Sequence, residues 1–164
     1  MVELLNNSHN RTDFDCGNEQ LTKYFKIQAG QDMKRKLSVC FVWTDSFTNK
    51  TIGYYTLSNS SIPLIFFPEQ INQKLPLSYQ YIPCTLIGRL AIDKSYQEKK
   101  MGEQLLINAL ITCYKTSLKV ASFAVVVDPI DENAIKFYKK YDFTPLPHSG
   151  KMFITMKTLT QLFN

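Results

Sequence analysis

Residues 84–106 read CTLIGRLAIDKSYQEKKMGEQLL and combine an apolar run, a charged loop and the start of a helix. The run at 84–93 is apolar almost throughout, which is typical of a strand covered on both faces. A strand that leads through a short loop into a helix gathers unpaired backbone N–H groups at the positive end of a helix dipole. The stretch therefore predicts an anion site, although a lone basic loop before a helix is more often a solvated surface.

The residues that follow predict a parallel crossover. An apolar stripe at helical spacing begins inside the stretch and consists of Met101, Leu105, Leu106, Ala109, Leu110 and Cys113. A second apolar strand, KVASFAVVVD, comes next at 119–128, and the strand, helix and strand should form a right-handed unit. A further helix is predicted at 131–141 and a last strand at 151–159.

The preceding residues predict helices, a hairpin and an irregular segment. Apolar spacing over 18–36 indicates two short helices broken at Gly30. The hairpin strands are predicted at 37–45 and 51–59. Residues 60–83 contain four prolines and predict an irregular excursion with a short helix near 69–74. Together these elements predict one α/β domain over 1–164.

Composition describes a folded protein with a modest positive charge. Hydrophobic residues make up 45% and charged residues 20% of the chain, close to a globular average. Apolar runs are too short for a membrane span, and the first residues lack a secretory pattern, so a cytoplasmic location is expected. The net charge of +5 favours polyanionic ligands such as nucleic acid or phosphorylated cofactors without identifying either.

The cysteines are isolated, at positions 16, 40, 84 and 113, and show no metal-binding spacing. Buried free thiols and no metal site are therefore expected. Their even number also leaves a disulfide framework open, which the size of the core and the missing signal disfavour.

The order of elements resembles the GNAT superfamily of acetyl-CoA-dependent N-acetyltransferases over about residues 11–158. A narrower likeness, to the tRNA-acetylating toxins of bacterial type II toxin-antitoxin modules, is carried by FDCG at 14–17, GRLAID at 88–93 and AIKFYKKYDF at 134–143. The resemblance implies a GNAT fold of the α/β (α+β) class, with a mixed sheet, splayed parallel central strands and helices on both faces. It also implies acetyl-CoA as cofactor and aminoacyl-tRNA and a cognate antitoxin as partners; relatives often form homodimers.

The charged loop is similar to the cofactor turn of that family, which reads Gln or Arg, two residues, Gly or Ala, one residue, Gly or Ala. Gln97 and Gly102 match, whereas Lys100 stands where the first small residue belongs. A lysine with negative φ still offers its N–H, and its ammonium, with those of Lys94 and Lys99, adds attraction to phosphates. The implied cofactor-binding residues are Leu90, Ala91, Ile92, Gln97, Glu98, Lys99, Lys100, Met101, Gly102, Glu103, Gln104, Asn133 and Phe137.

Tyr138 corresponds to the family tyrosine that protonates the leaving sulfur. Its ordinary pKa of about 10 keeps the phenol protonated at neutral pH, as a general acid requires. Without the resemblance, its place on an apolar helical stripe would favour a plain core tyrosine. Asn133, at the start of the same helix, is either a helix cap or a cofactor ligand.

Two residues of the predicted central strand, Arg89 and Asp93, are candidates for substrate binding. Arg89 either contacts RNA phosphates or pairs with an acid beside the strand. The basic group at 34–36 either joins Arg89 in contacting RNA phosphates or is a solvated helix end. Asp93 is the only acid of the strand, so a strong base for a lysine acceptor, whose pKa is about 10.4, is not evident.

An α-amine, with a pKa of about 7.8, needs less help. Together with the basic charge, the resemblance to the toxins implies that this α-amine is that of aminoacyl-tRNA. The alternatives are acetylation of a small amine or a protein, and a degenerate GNAT domain that only binds a partner.

Overall fold

The computed structural model describes residues 1–164 and contains a seven-stranded mixed sheet. Its strands are β1 (Val2–Leu4), β2 (Val39–Thr44), β3 (Thr51–Pro63), β4 (Tyr81–Ile92), β5 (Ala124–Val127), β6 (Thr144–Pro145) and β7 (Met152–Thr155). Its helices are α1 (Glu19–Lys23), α2 (Ala29–Lys34), α3 (Glu69–Asn72), α4 (Met101–Ser117), α5 (Glu132–Lys140) and α6 (Met156–Phe163). The strand order is β1-β2-β3-β4-β5-β7-β6, which confirms the predicted α/β class.

Contacts divide the chain into two compact units, each with its own core. The first unit comprises Met1–Ser58 and Ile87–Leu110, and the second comprises Asn59–Leu86 and Ile111–Asn164. The core of the first includes Leu5, Phe14, Tyr24, Phe25, Ala29, Cys40, Val42, Tyr54 and Ala91. The core of the second includes Ile62, Leu64, Phe67, Ile82, Cys84, Ala124, Val126, Leu146 and Phe153. One domain over 1–164 stays a prediction.

The opening helical segment is continuous rather than broken at Gly30. Asn18 caps α1 by accepting a hydrogen bond from the Leu21 N–H, and a π-helical turn, Tyr24–Gln28, connects α1 to α2. Gly30 lies inside α2, so the predicted break was wrong. The wide turn buries both Tyr24 and Phe25, and this packing outweighs the weak local preference of glycine.

The irregular segment is shorter than predicted. Strand β3 continues to Pro63 and β4 begins at Tyr81, while the short helix expected near 69–74 is present as α3. In contrast, β5 is shorter than the predicted strand at 119–128, because the Lys119 and Val120 N–H groups donate to the Thr116 carbonyl and form a turn after α4.

The last predicted strand, at 151–159, is correct only in its first half. Residues after β7 form α6, because Thr155 accepts a hydrogen bond from the Thr158 N–H and caps the helix. Met156 and Leu159 are buried three residues apart, which is a helical period. The short strands β1 and β6 were not predicted.

The four cysteines are free, and those at 40, 84 and 113 are buried, as expected. Cys16 is half-buried. None of the helices combines the length and the apolar character that a membrane crossing requires.

We expect Gly53→Ala to destabilise the fold by about 1–3 kcal/mol. A Cβ at Gly53 would lie 2.6 Å from both the Ala91 carbonyl oxygen and the Ile92 Cδ1, so β3 or β4 would have to shift. Gly30→Ala is the matched control, because the nearest atom to its Cβ is 3.7 Å away and alanine favours a helix by up to about 1 kcal/mol. Urea denaturation of both variants measures the difference, and equal stabilities would contradict the crowding at Gly53.

Candidate functional site

The loop between β4 and α4 contains two residues in the left-handed region. Glu98 has φ of +65° and Lys100 has φ of +57°. The negative-φ conformation considered for Lys100 is therefore not the one that it adopts. A side chain in this conformation costs about 1–2 kcal/mol, a cost that glycine does not have.

The start of α4 presents free backbone donors. The Gln104 N–H donates to the Lys100 carbonyl over 3.3 Å and forms the first hydrogen bond of the helix. The N–H groups of Met101, Gly102 and Glu103 precede it and have no acceptor in the chain. With the helix dipole behind them, these donors favour an anion.

Gln97 fastens this loop by its side chain. Its Nε2 donates to the Ile92 carbonyl at the end of β4 and to the Cys16 carbonyl, over 2.9 Å in each case. The match of Gln97 to the family turn therefore has a structural role in this chain, which is to hold the loop against two other segments.

Asp93 anchors the same loop through its carboxylate. Its Oδ1 accepts from the Ser95 N–H (2.9 Å) and Oγ (2.6 Å), and its Oδ2 accepts from the Asp15 N–H (3.0 Å). The Lys50 ammonium lies 3.5 Å from Oδ1, and Asp93 is only 3% exposed. Burial alone would raise the pKa of Asp93, but the hydrogen bonds from Ser95 and Asp15 and the charge of Lys50 hold it below its ordinary value. Both oxygens serve the fold, so we assign Asp93 to loop anchoring rather than to substrate binding.

Only some of the expected cations are free for a phosphate. Lys94 pairs with Asp15 at 3.1 Å, and Lys50 is held by Ser95 and Asp93. Lys99 and Lys100 are exposed and form no ion pair, although the Lys99 ammonium lies 5.7 Å from the Tyr96 ring centroid. These two lysines supply positive charge close to the free amides of α4.

The last residues of β4 are Arg89 and three of the predicted cofactor-binding residues, at 90–92. Leu90 is half-buried, and Ala91 and Ile92 are buried. The Arg89 guanidinium lies over the Tyr24 ring, 3.4 Å from its centroid, and forms no ion pair. The alternative in which Arg89 pairs with an acid is therefore wrong.

The second unit contains Tyr138 on α5. Tyr138 is 8% exposed, and its ring contacts Phe137 and Phe143 at centroid distances of 5.3 and 5.2 Å. Burial raises the pKa of the phenol, so the proton is retained at neutral pH. Asp131 caps α5 by accepting from the Ala134 N–H, which excludes the capping role considered for Asn133. Asn133 is exposed and Phe137 is half-buried.

The basic group at 34–36 is exposed at the C-terminal end of α2. Cations are favourable at that end of a helix dipole, so a solvated helix end accounts for them. No group of His, Cys, Asp and Glu side chains is arranged to hold a metal ion.

Residues 3–143 match the model of the Acetyltransferase (GNAT) family. The chain belongs to this family. A tRNA-acetylating toxin of Mycobacterium tuberculosis is 26% identical over 136 residues, which are 83% of this chain and 79% of the toxin. The GNAT resemblance noted from the sequence is thereby confirmed.

Solved structures of toxins superpose on nearly the full length of this chain. A tyrosine-to-phenylalanine mutant of KacT is 30% identical with a TM-score of 0.93, covering 99% of this chain and 98% of KacT. AtaT complexed with acetyl-methionyl-tRNAfMet is 28% identical with a TM-score of 0.92, covering 100% and 99%. AtaT has also been solved with acetyl-CoA and the C-terminus of the antitoxin AtaR, at 25% identity and a TM-score of 0.83, covering 100% and 98%.

The residues present fit the diphosphate of acetyl-CoA, the cofactor of the GNAT family. Free amides at the start of α4, a loop with left-handed turns and two unpaired lysines form a donor set for phosphate oxygens. The sequence indicated these residues, but the FDCG segment at 14–17 was noted only for its likeness, and the anchoring roles of Asp15 and Cys16 were not predicted. The contact of Tyr24 with Arg89 was not predicted either.

Proposed function

We propose that this protein is an acetyl-CoA-dependent N-acetyltransferase that acetylates the α-amine of aminoacyl-tRNA. The observation that carries the proposal is the likeness over the whole chain to AtaT in complex with acetyl-methionyl-tRNAfMet, with a TM-score of 0.92. An α-amine suits the site, because β4 contains no acid and Asp93, which directly follows it, has a lowered pKa and engaged oxygens that make it a weak base.

Each binding residue has a distinct task in this proposal. The amides of Met101, Gly102 and Glu103 hold the diphosphate, aided by the Lys99 and Lys100 ammonium groups. The main chain of 90–92 holds the pantetheine arm as an added strand. Glu98 and Gln104 of the first unit, and Asn133 and Phe137 of the second unit, are proposed as further cofactor-binding residues, and Gln97 keeps the loop in place.

Tyr138 is the proposed general acid. Acetyl-CoA supplies an acetyl thioester whose sulfur departs as a thiolate and needs a proton. A buried phenol with a raised pKa keeps its proton until a strong base arrives, which supports Tyr138 in this task.

The proposal extends to partners and location. AtaT is solved with the C-terminus of AtaR, so we propose that this protein also binds a cognate antitoxin. Charged tRNA occurs in the cytoplasm, which places the proposed reaction there. Homodimer formation stays a prediction.

Incubation with acetyl-CoA and a set of charged tRNAs tests the proposal. We expect release of free CoA thiol and formation of an N-acetylated aminoacyl ester, with uncharged tRNA as the negative control. Thiol release with small amines or protein N-termini, but not with charged tRNA, would assign the enzyme to those acceptors. Absence of CoA binding at millimolar concentration in calorimetry would indicate a degenerate domain that only binds a partner.

We expect Lys100→Gly to be more stable than Lys100→Ala by about 1 kcal/mol. Both variants remove the ammonium, but only glycine relieves the left-handed conformation at φ of +57°. The loss of the charge should weaken CoA binding equally in both, and more at low salt than at high salt. Thermal denaturation and calorimetry measure the two effects separately, and an alanine variant as stable as the glycine variant would contradict the strain at Lys100.

A further inference from the structure

Arg89 is a half-buried cation without an anionic partner. Two cations that contact the loop region of the first unit, Lys50 and Lys94, are each paired with a carboxylate, whereas the unpaired Lys99 and Lys100 are exposed to water. Arg89 is instead held by an aromatic ring, with its guanidinium 3.4 Å from the Tyr24 centroid. Withdrawing a charge from water without a counter-charge is costly, and a packing role alone would be served by an apolar side chain.

Tyr24 is fixed beneath Arg89 by polar contacts at its far end. Its hydroxyl donates to the Asp32 Oδ2 over 2.8 Å and lies 3.1 Å from the Ser38 Oγ. Tyr24 and Asp32 are 5% and 7% exposed, so this hydrogen bond lies within the first unit's interior. The Asp32 carboxylate is engaged by the phenol and makes no ion pair with Arg89.

The π-helical turn sets the direction of the Tyr24 ring. Tyr24 is the first residue of the turn, and its carbonyl accepts from the Ala29 N–H. Phe25 stacks on Tyr54 at a centroid distance of 4.6 Å, while Tyr24 lies 6.4 Å from the same ring in a parallel orientation. Such turns are rare and occur frequently at functional sites.

We propose that Tyr24 is a positioning residue that holds the Arg89 guanidinium for a phosphate of the RNA acceptor. Arg89 thereby becomes a determinant of specificity for amines attached to RNA. Stacking uses the face of the guanidinium and leaves its N–H edge free for two parallel hydrogen bonds to phosphate oxygens.

This assignment rests on the proposed function and selects one of two phosphate sources. The diphosphate of acetyl-CoA already has donors in the amides of 101–103 and in Lys99 and Lys100. Arg89 lies on β4, ahead of the residues proposed for the pantetheine arm, and is absent from that donor set. Its place outside that donor set favours a phosphate of the RNA over the cofactor diphosphate, and the KM for acetyl-CoA tests whether it contacts any other phosphate of CoA.

Steady-state kinetics of three variants test the inference. Arg89→Lys keeps the charge but loses the planar edge, Tyr24→Leu loses the ring, and Tyr24→Phe loses only the hydrogen bond to Asp32. We expect KM for charged tRNA to rise about 10-fold in the first two and about 3-fold in the third, a tenfold change being about 1.4 kcal/mol. KM for acetyl-CoA should stay within about twofold of wild type. A rise confined to KM for acetyl-CoA, or no change for tRNA, overturns the assignment.

Direct RNA binding separates this inference from the proposed function. Fluorescence anisotropy with uncharged tRNA needs no catalysis, and Arg89→Ala should reduce the salt slope of binding by about 1. If wild type binds tRNA but acetylates another acceptor, the proposed function fails while the altered slope still supports Arg89. An Arg89→Ala protein with wild-type affinity and slope overturns the inference even when charged tRNA is the substrate. Melting curves check folding, and Tyr24→Phe, which keeps the ring, carries the test if Tyr24→Leu unfolds.

Discussion

Tyr138→Phe is expected to lower kcat by about 10²–10⁴-fold and to leave the Kd for CoA nearly unchanged. The substitution removes only the hydroxyl, while the ring keeps its contacts with Phe137 and Phe143. Loss of the proton donor slows departure of the thiolate without altering the donors proposed for the diphosphate. Thiol release at saturating substrates measures kcat, and calorimetry measures CoA affinity.

Tyr141→Phe is the matched control for this effect. Tyr141 is half-buried directly after α5, and its ring contacts Phe137 at a centroid distance of 5.1 Å, but it has no proposed chemical task. Its hydroxyl should be dispensable for turnover. Equal turnover of Tyr138→Phe and wild type would remove Tyr138 from the mechanism, and equal losses in both variants would indicate a packing effect instead.

Burial of Tyr138 also affects the pH range of the reaction. Because burial raises the pKa of the phenol above its ordinary value of about 10, the acid should stay protonated through neutral and mildly alkaline pH. A fall of kcat with rising pH below about pH 9 would therefore have to come from another group.

The elements with strong periodicity could be predicted from the sequence. The apolar run at 84–93 and the stripe that follows it gave β4 and α4, because burial on both faces of a strand and on one face of a helix leaves distinct patterns. The helix expected at 131–141 is present as α5, with Asp131 and Tyr141 as its caps.

Other elements depend on packing that a local pattern does not contain. The π-helical turn exists because Tyr24 and Phe25 both enter the core, and single-residue preferences instead suggested a break at Gly30. Strand β1 has three residues, too few for a period, and is defined by its antiparallel pairing with β2. The capping signal of Thr155 was present, but the strand pattern before it was extended too far.

The candidate site shows the same division. The residues of the loop were found because they are contiguous, whereas its anchors lie far away in the sequence. Asp15 and Asp93 are 78 positions apart, and Cys16 and Gln97 are 81 apart. Hydrogen bonds between residues so far apart in the chain produce no pattern that can be recognised in a single sequence. The sign of φ at Lys100 was likewise fixed by the turn rather than by the residue.

Asp93→Ala is expected to lower the free energy of unfolding by about 3 kcal/mol. The carboxylate is the acceptor for the N–H groups of Asp15 and Ser95 and lies beside the Lys50 ammonium. Alanine leaves these donors without their acceptor at a position where the Asp93 side chain is buried. Asp93→Asn keeps one acceptor oxygen and should lose about half as much. Asp128→Ala is the control, because its exposed pair with Lys151 should contribute at most about 1 kcal/mol. Urea denaturation at pH 7 compares the three variants.

The pH dependence of the difference between wild type and Asp93→Asn provides a second measurement. The folded pKa of Asp93 is lowered, so its contribution is fully present above the unfolded pKa of about 3.9 and is lost as pH falls through the folded value. The advantage of wild type should therefore be constant from pH 7 to about pH 5 and shrink below about pH 4. Asp45 also has a lowered pKa, but both proteins contain it and Asp93 is not among the groups that shift it, so its effect cancels in the difference. The charge of Asp93 raises the pKa of Asp15, so Asp93→Asn should lower the Asp15 pKa further, and Asp15→Asn in both backgrounds removes this contribution.

Kinetics separate an anchoring Asp93 from a catalytic one. An anchor acts through the position of the loop, so Asp93→Asn should raise KM for acetyl-CoA while retaining most of kcat at saturation. A general base would show the opposite pattern, with kcat reduced and its acidic pH limb removed. Because both Asp93 oxygens already accept hydrogen bonds within the fold, we expect the first pattern. A large loss of kcat with unchanged KM would contradict the anchoring role and would indicate that Asp93 contacts the reacting atoms.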